Sequence, residues 1–382
     1  MSPIRVLLAP DKFKGSLSAS EVAHWLETGL TGSNPEAISC VSLPLADGGD
    51  GSVQAALHAG FSPYTVPVTG PTGIPATTTV AFNGSVAVIE VATTSGLQML
   101  PPGRLAPLGS SSVGFGQAIH AALGRNPQQV VLALGGSAST DGGAGMLSAL
   151  GMRFLDASGT QFVPSGGNLA DIARIDPTGV LSLGTVDLVA ANDVQNPLLG
   201  PLGAASVYGP QKGATPDDVL RLEAGLANLV RRLDEAGWPG TDCAGTPGAG
   251  SAGGLGFAAM LLGARMASGA DFFLDLLDFE RALENCDLVV TGEGKMDEQT
   301  LSGKLPLIVA RRAAPVPVVA VVGHNALAGD RLPEHGIESI HALSTLTDQD
   351  SASDPSLSAA LLAEIGRTIA HALTHSEESI RP

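Results

Sequence analysis

Cysteine is scarce in this chain. There are three in 382 residues, Cys40, Cys243 and Cys286, and none has CxxC spacing. An odd, scattered set supplies neither a disulfide framework nor a metal cage, and it reads as reduced, buried thiols of a cytoplasmic protein. Aromatic residues make up 4% of the chain, too few for the stacking platforms of single-strand nucleic-acid binders. Positive charge is short as well. Twenty Lys and Arg face 37 Asp and Glu, for a formal net charge of -17, which excludes a broad nucleic-acid surface or one for acidic membranes. No apolar run reaches membrane-spanning length. The short run Val6 to Ala9 gives way to charges, unlike a signal peptide. What remains is 44% hydrophobic and 15% charged, a composition that suits a compact globular protein, and the length accommodates two domains with separate cores.

The scarcest cation is the most informative one. Only five lysines occur, Lys12, Lys14, Lys212, Lys295 and Lys304, and all lie in glycine-containing segments, DKFKG, PQKG and GEGKMDEQTLSGK. The arginines are scattered through ordinary sequence. Lysine is thus kept where a compact ammonium group has a use. Beyond roughly 8 Å the distant acids are screened, so a few placed cations can still hold an anion.

The chain reads as alternating strands and helices. Ile4 to Pro10 is a strand, followed by the loop Asp11 to Gly15, and Ser18 with Glu21 forms a capping box ahead of a helix. Ile38 to Leu45 is a second strand, ending at Asp47-Gly48-Gly49-Asp50-Gly51. From Tyr64 the alternation suits paired strands, with Asn83-Gly84 as a hairpin turn. Val130 to Leu134 is a buried strand. It enters Gly135, Gly136, Ser137, Ser139, Thr140, Asp141, Gly142 and Gly143, and a helix starts at Ala144. Strand, glycine loop and helix start together aim bare N–H groups at an anion such as phosphate. Val186 to Ala191 is another strand, ending at Asn192-Asp193. A helix starts at Thr215-Pro216, and 240–256 reads as a mobile or ligand-embracing loop. Strand Asp287 to Thr291, loop GEGKMDEQTLSGK, helix Lys304 to Ala313, strand Val316 to Val322, one more strand and a closing helix complete the pattern.

Two βα units at the start and three at the end would make one five-stranded parallel sheet. The expected organisation is α/β. A discontinuous parallel-sheet domain, 1–62 and 283–382, is interrupted by a mixed-sheet α/β domain, 63–282, that carries the glycine-rich loop. Ligands of open α/β sheets sit beyond the strands' carboxyl ends, so the cleft is expected between the domains.

Those strand ends carry the parts of phosphoryl transfer: cations for the phosphates, carboxylates for Mg²⁺, and a base for the acceptor hydroxyl. The carboxylates are Asp11, Asp47, Asp50, Asp141, Asp193, Glu293 and Asp297. No Walker A is present, because Leu305 follows Gly303-Lys304 where Ser or Thr should stand. Gly248, Gly250 and Gly253 match GxGxxG, but no strand precedes them. A non-catalytic anion-binding protein and an NAD-linked oxidoreductase remain alternatives at this point.

The blocks APDKFKGSLSA (9–19), PLADGGDG (44–51), GGSASTDGGAGML (135–147), NDVQNPLLGPLGAASVYGPQKGA (192–214), GAGSAGGLGFA (248–258) and TGEGKMDEQTLSGK (291–304) resemble, in order, those of the bacterial class I glycerate kinases. The resemblance implies a flavodoxin-like domain joined to a second α/β domain. It also implies ATP-dependent phosphorylation of D-glycerate, most often to 2-phosphoglycerate; a kinase for another small hydroxy acid or a polyol is the alternative reading. Asn192 and Gln195 depart from the family's pattern and leave Asp193 as the carboxylate of its loop. On this reading Lys295, Asp193, Glu293 and Lys12 are catalytic. Gly135, Gly136, Ser137, Ser139, Thr140, Gly142, Gly143 and Lys304 hold ATP, and Lys14, Asp47, Asp50 and Lys212 hold glycerate. Asp193 and Asp297 hold Mg²⁺. The expected partners are these small molecules, with no nucleic acid and no membrane, in a monomer or homodimer of the cytoplasm.

Overall fold

The computed structural model describes residues 3–32, 35–298, 300–327 and 333–376. In chain order the strands are β1 (Ile4–Pro10), β2 (Ile38–Ser42), β3 (Ser62–Thr69), β4 (Pro75–Phe82), β5 (Val86–Glu90), β6 (Gln129–Ala133) and β7 (Arg153–Leu155). They continue as β8 (Gln161–Phe162), β9 (Arg174–Asp176), β10 (Asp187–Ala191), β11 (Arg265–Ala267), β12 (Leu288–Met296), β13 (Val318–Asn325) and β14 (Ser339–Ala342). The chain forms two compact units, Met1–Asp47 with Ala270–Pro382, and Gly48–Gly269. No helix among the described residues is long and apolar enough to cross a membrane.

The first unit is built on β1. Its sequence IRVLLAP is buried from Val6 to Pro10, the continuous apolar run of a strand covered on both faces. The sheet order is β14-β13-β12-β1-β2, with every neighbour parallel. Counted within the unit, this is the 2-1-3-4-5 order of flavodoxin-like sheets. The helix Ala19–Thr31 starts on the expected box, with the Ser18 N–H donating to the Glu21 carboxylate at 2.8 Å. It packs on the helix Pro355–Ser376 so closely that a Cβ on Gly366 would sit 2.9 Å from the Gly29 Cα. The strand order reverses between β1 and β12. The carboxyl ends of these two strands therefore flank the switch point where such sheets bind ligands.

The second unit has a six-stranded sheet, β11-β10-β6-β5-β4-β3. Its β3–β4 and β4–β5 pairings are antiparallel and the rest parallel. The Asn83-Gly84 hairpin forms as its sequence requires. The Asn83 Oδ1 accepts from the Val86 N–H at 2.8 Å, and Gly84 takes φ +94°, in the left-handed region that favours glycine. A small antiparallel sheet, β8-β7-β9, belongs to the same unit. Around the large sheet lies a core that includes Phe115, Phe154, Phe257, Leu226 and Leu229.

Three observations differ from the sequence reading. The units divide at Asp47/Gly48 and Gly269/Ala270, not at 62/63 and 282/283. The helix Ser52–His58 packs on β4 and β5, while the helix Phe279–Leu283 packs on Leu305–Ala313, where Arg312 also pairs with Asp275 at 2.7 Å. Periodicity marks a helix but not the sheet it covers. Second, β12 runs five residues past Thr291, so Glu293 and Lys295 stand on a strand, opposite Val322 and His324 of β13. Third, residues 240–256 pack as short helical turns, with Ala249 and Leu255 fully buried. Their glycines bring backbone against backbone.

Candidate active site

Each unit carries its polar residues at the carboxyl ends of its strands. In the first unit the Asp11 N–H continues the ladder to the Gly292 carbonyl at 2.9 Å. Phe13, 3% exposed, anchors the following loop. The Asp11 Oδ1 accepts from the Lys12 N–H at 2.7 Å and lies 3.7 Å from the Lys12 Nζ. Burial pushes the Asp11 carboxyl up to about 7; Lys12 opposes this, and Asp47 and Glu293 add to it. Glu293 is likewise raised to about 7, chiefly by burial, against a lowering hydrogen bond from Thr300 and the charge of Lys304. The Thr300 hydroxyl donates to the Glu293 Oε1 at 2.6 Å and accepts from the Asp297 N–H at 3.2 Å. Asp297 faces two ammonium groups, Lys295 at 3.3 Å and Lys304 at 3.8 Å. Lys14 is exposed.

The unit therefore brings Asp11, Lys12, Asp47, Glu293, Lys295, Asp297 and Lys304 to the switch point. Thr300, fully buried, was not anticipated. Nothing in TLSG distinguishes it until β12 and the turn after it are folded.

In the second unit the glycine loop divides in two. Among the described residues, none accepts the N–H groups of Gly135, Gly136 and Ser137, and Gly136 is exposed with φ +78°. The later residues are committed to the interior. The Gly142 N–H goes to the Gly253 carbonyl at 3.0 Å. The Gly143 and Gly145 N–H groups go to the Asp141 carboxylate, each at 3.2 Å. Asp141 also accepts both the N–H and the hydroxyl of Ser112, each at 2.8 Å. Ser139 and Thr140 are fully buried. The part of the loop with open N–H groups is thus 135–137, where Gly136 is exposed and Ser137 is buried.

Lys212 is 2% exposed. Its Nζ donates to the Ser137 Oγ at 2.7 Å and to the Ser139 carbonyl at 2.5 Å. Burial pushes the ammonium down to about 7, against the raising charge of Asp141. Asp50 accepts from the Gln98 Nε2 at 3.3 Å. Its neighbour Gly49 lies so near Gly135 that a Cβ there would come 2.5 Å from the Gly49 Cα. Asp193, exposed just beyond β10, accepts the Gly269 N–H at 2.9 Å.

Glu90 was also missed by sequence reasoning. It ends β5, is 3% exposed, and its Oε2 takes the Gly51 and Val53 N–H groups, each at 3.1 Å. It thereby caps the helix Ser52–His58. The signal was present, since Glu90 is an acid closing the apolar strand VAVIE, as Glu293 follows DLVVTG.

Strand-end carboxylates, ammonium groups and open glycine turns on parallel strands are the equipment of a small-molecule phosphotransferase. The chain belongs to the glycerate kinase family, whose description matches residues 6–374. It is an enzyme of that family, acting on small molecules. It is 41% identical over 347 residues to the glycerate kinase of Bacillus subtilis (strain 168), covering 89% of this chain and 90% of that protein. To the glycerate 2-kinase of Escherichia coli (strain K12) it is 38% identical over 350 residues, covering 90% and 91%. A crystal structure from Salmonella typhimurium LT2 assigned to glycerate kinase 2 superposes with a TM-score of 0.81 at 36% identity, covering 98% of this chain and all of that one.

Proposed function

We propose that the protein transfers the γ-phosphoryl group of ATP to the 2-hydroxyl of D-glycerate, giving 2-phosphoglycerate and ADP. The observation that carries this reading is the carboxyl end of β12. There Glu293, raised to about 7 and held by Thr300, stands on the same strand as Lys295, which with Lys304 flanks Asp297. A carboxylate poised near neutrality takes a proton efficiently at working pH, and ammonium groups at close range meet phosphate charge. In the step, the glycerate hydroxyl oxygen bonds to the γ-phosphorus and the bond to the β–γ bridging oxygen breaks. The hydroxyl proton passes to Glu293, and ADP leaves. Lys12, Lys14 and Asp47 are proposed to hold glycerate. The Gly135, Gly136 and Ser137 N–H groups take ATP phosphate oxygens, with Asp50 beside Gly136.

Phosphoryl transfer uses Mg²⁺, which is commonly held by one or two carboxylates with phosphate oxygens and water completing the shell. Among the described residues no three His, Cys, Asp or Glu side chains could together hold a metal, which suits such a sparse donor set. Asp193 fits it. Asp297 does not, because ammonium groups face both of its oxygens. When bound, the ion offsets charge on the transferring phosphoryl oxygens. We further propose that the two compact units are the protein's domains and that it works in a reducing cytoplasm, a reading supported by three unpaired cysteines.

The test is ADP release measured over a panel of hydroxy acids and polyols. D-Glycerate is expected to exceed every uncharged polyol by roughly tenfold or more in kcat/KM, because a site with ammonium groups for a carboxylate is left unpaired without one. A preference for an uncharged polyol would overturn the assignment.

A further inference from the structure

Lys212 sits on the short turn Pro210–Lys212, far in sequence from the loop it touches. It is the one lysine of the five with a buried side chain. Its two hydrogen bonds go to the Ser137 hydroxyl and the Ser139 carbonyl, on either side of Ala138. Gly253 roofs it: a Cβ there would sit 2.8 Å from the Nζ, and φ +74° is open to glycine. The same Gly253 carbonyl takes the Gly142 N–H. Lys212 is thus enclosed by protein on the inner side of the loop whose outer side, at Gly136, is exposed. A cation in that position cannot reach a bound ligand without dismantling the roof, and it is aimed at the backbone it holds.

We infer that Lys212 is a positioning residue, an internal post that fixes Ser137 and the chain through Ser139 so that the Gly135–Ser137 N–H groups converge on one anion. It is not a ligand of glycerate. The inference rests on the reading of that turn as the nucleotide phosphate site. Removing the ammonium returns its desolvation cost but leaves the buried Ser139 carbonyl without its donor, so the two effects on stability offset one another. Loss of function and loss of stability should therefore separate.

The experiment is a double-mutant cycle on the full chain with Lys212→Met, Ser137→Ala and the pair. KM for ATP, KM for glycerate, kcat and melting temperature are read for each. Losing a charge-assisted hydrogen bond at the turn is expected to raise KM for ATP about 10- to 100-fold in Lys212→Met. KM for glycerate and the melting temperature should stay within error or the latter should rise, and the double variant should be no worse than the more impaired single one. Additive losses, or a rise in KM for glycerate with ATP unaffected and no coupling to Ser137, would overturn the positioning role. Coupling seen in KM for glycerate alone would keep Lys212 as a positioning residue and instead overturn the nucleotide reading of the turn. Should Lys212→Met melt below the assay temperature, the same cycle is run on Lys212→Gln, which retains a donor. Additivity there would overturn the inference equally.

Discussion

Glu293 combines the two properties that a proton acceptor needs, a fixed direction and a pKa near the working pH. Thr300 supplies the first through its 2.6 Å hydrogen bond, and burial supplies most of the second. Replacing it by Gln keeps the size and removes the basicity, so kcat should fall about 10²- to 10⁴-fold with KM for ATP little changed. Steady-state kinetics on the variant check this. In the parent, kcat/KM should rise with pH and level off above about 7, as the free carboxyl loses its proton. The same shift bears on stability. Glu293 and Asp11 have folded-state values near 7, above their ordinary 4.5 and 3.8. The folded protein therefore binds more protons than the unfolded chain between about 4 and 7, and stability declines as pH rises through that window. Lys212 acts in the opposite sense: with its value lowered from 10.5 to about 7, its burial destabilises most below 7, and the cost fades as pH rises toward 10.5. Glu293→Gln should accordingly melt higher than the parent at pH 8 and equal to it at pH 4, as followed by thermal circular dichroism.

At the scale of elements, the sequence was legible wherever one residue type decides the outcome. The box at Ser18/Glu21, the helix start at Thr215-Pro216, the Asn83-Gly84 hairpin and the apolar strands β1 and β6 form as read. Where glycine permits several outcomes, the pattern was silent. GEGKM looks like a loop because glycine is a weak strand residue. It pairs with β13 because a Gly292 without a side chain lets the Val321 carbonyl approach. Gly292→Ala should therefore unseat β12 at Glu293, lowering both the melting temperature and kcat; full activity with an unchanged melting temperature would contradict the account. Glu90 offers a second element-level test. Its Oε2 satisfies the N–H groups of Gly51, just before the helix Ser52–His58, and of Val53 in its first turn, so Glu90→Ala should cost about 1–3 kcal/mol in denaturant unfolding. Lys212 marks the limit of composition: clustering in a glycine segment drew attention to it, but its direction inward depends on folding across some 75 residues of sequence.

For the whole chain, the organising fact is that β1 lies between β2 and β12, strands supplied by the two ends of the sequence. The second unit owns all strands of its sheet and its core. Residues 48–269 are expected to fold when expressed alone. Residues 270–382, lacking β1 beside β12, are expected to remain unfolded, a contrast that amide hydrogen exchange would show. An acidic chain has also spaced its five lysines so that four stand at or near the switch point of the first unit and one is sealed inside the second. That distribution is what an enzyme handling anionic substrates requires of a molecule whose net charge is -17. A strand-end carboxylate, ammonium groups and an acidic surface together serve the proposed phosphoryl transfer to the 2-hydroxyl of glycerate. Phosphorus NMR of the product formed from D-glycerate and Mg-ATP tests it most directly. A new monoester signal, split into a doublet by the single proton on carbon 2, is expected. A triplet from a CH₂–O–phosphate, or no glycerate-dependent monoester, would contradict it.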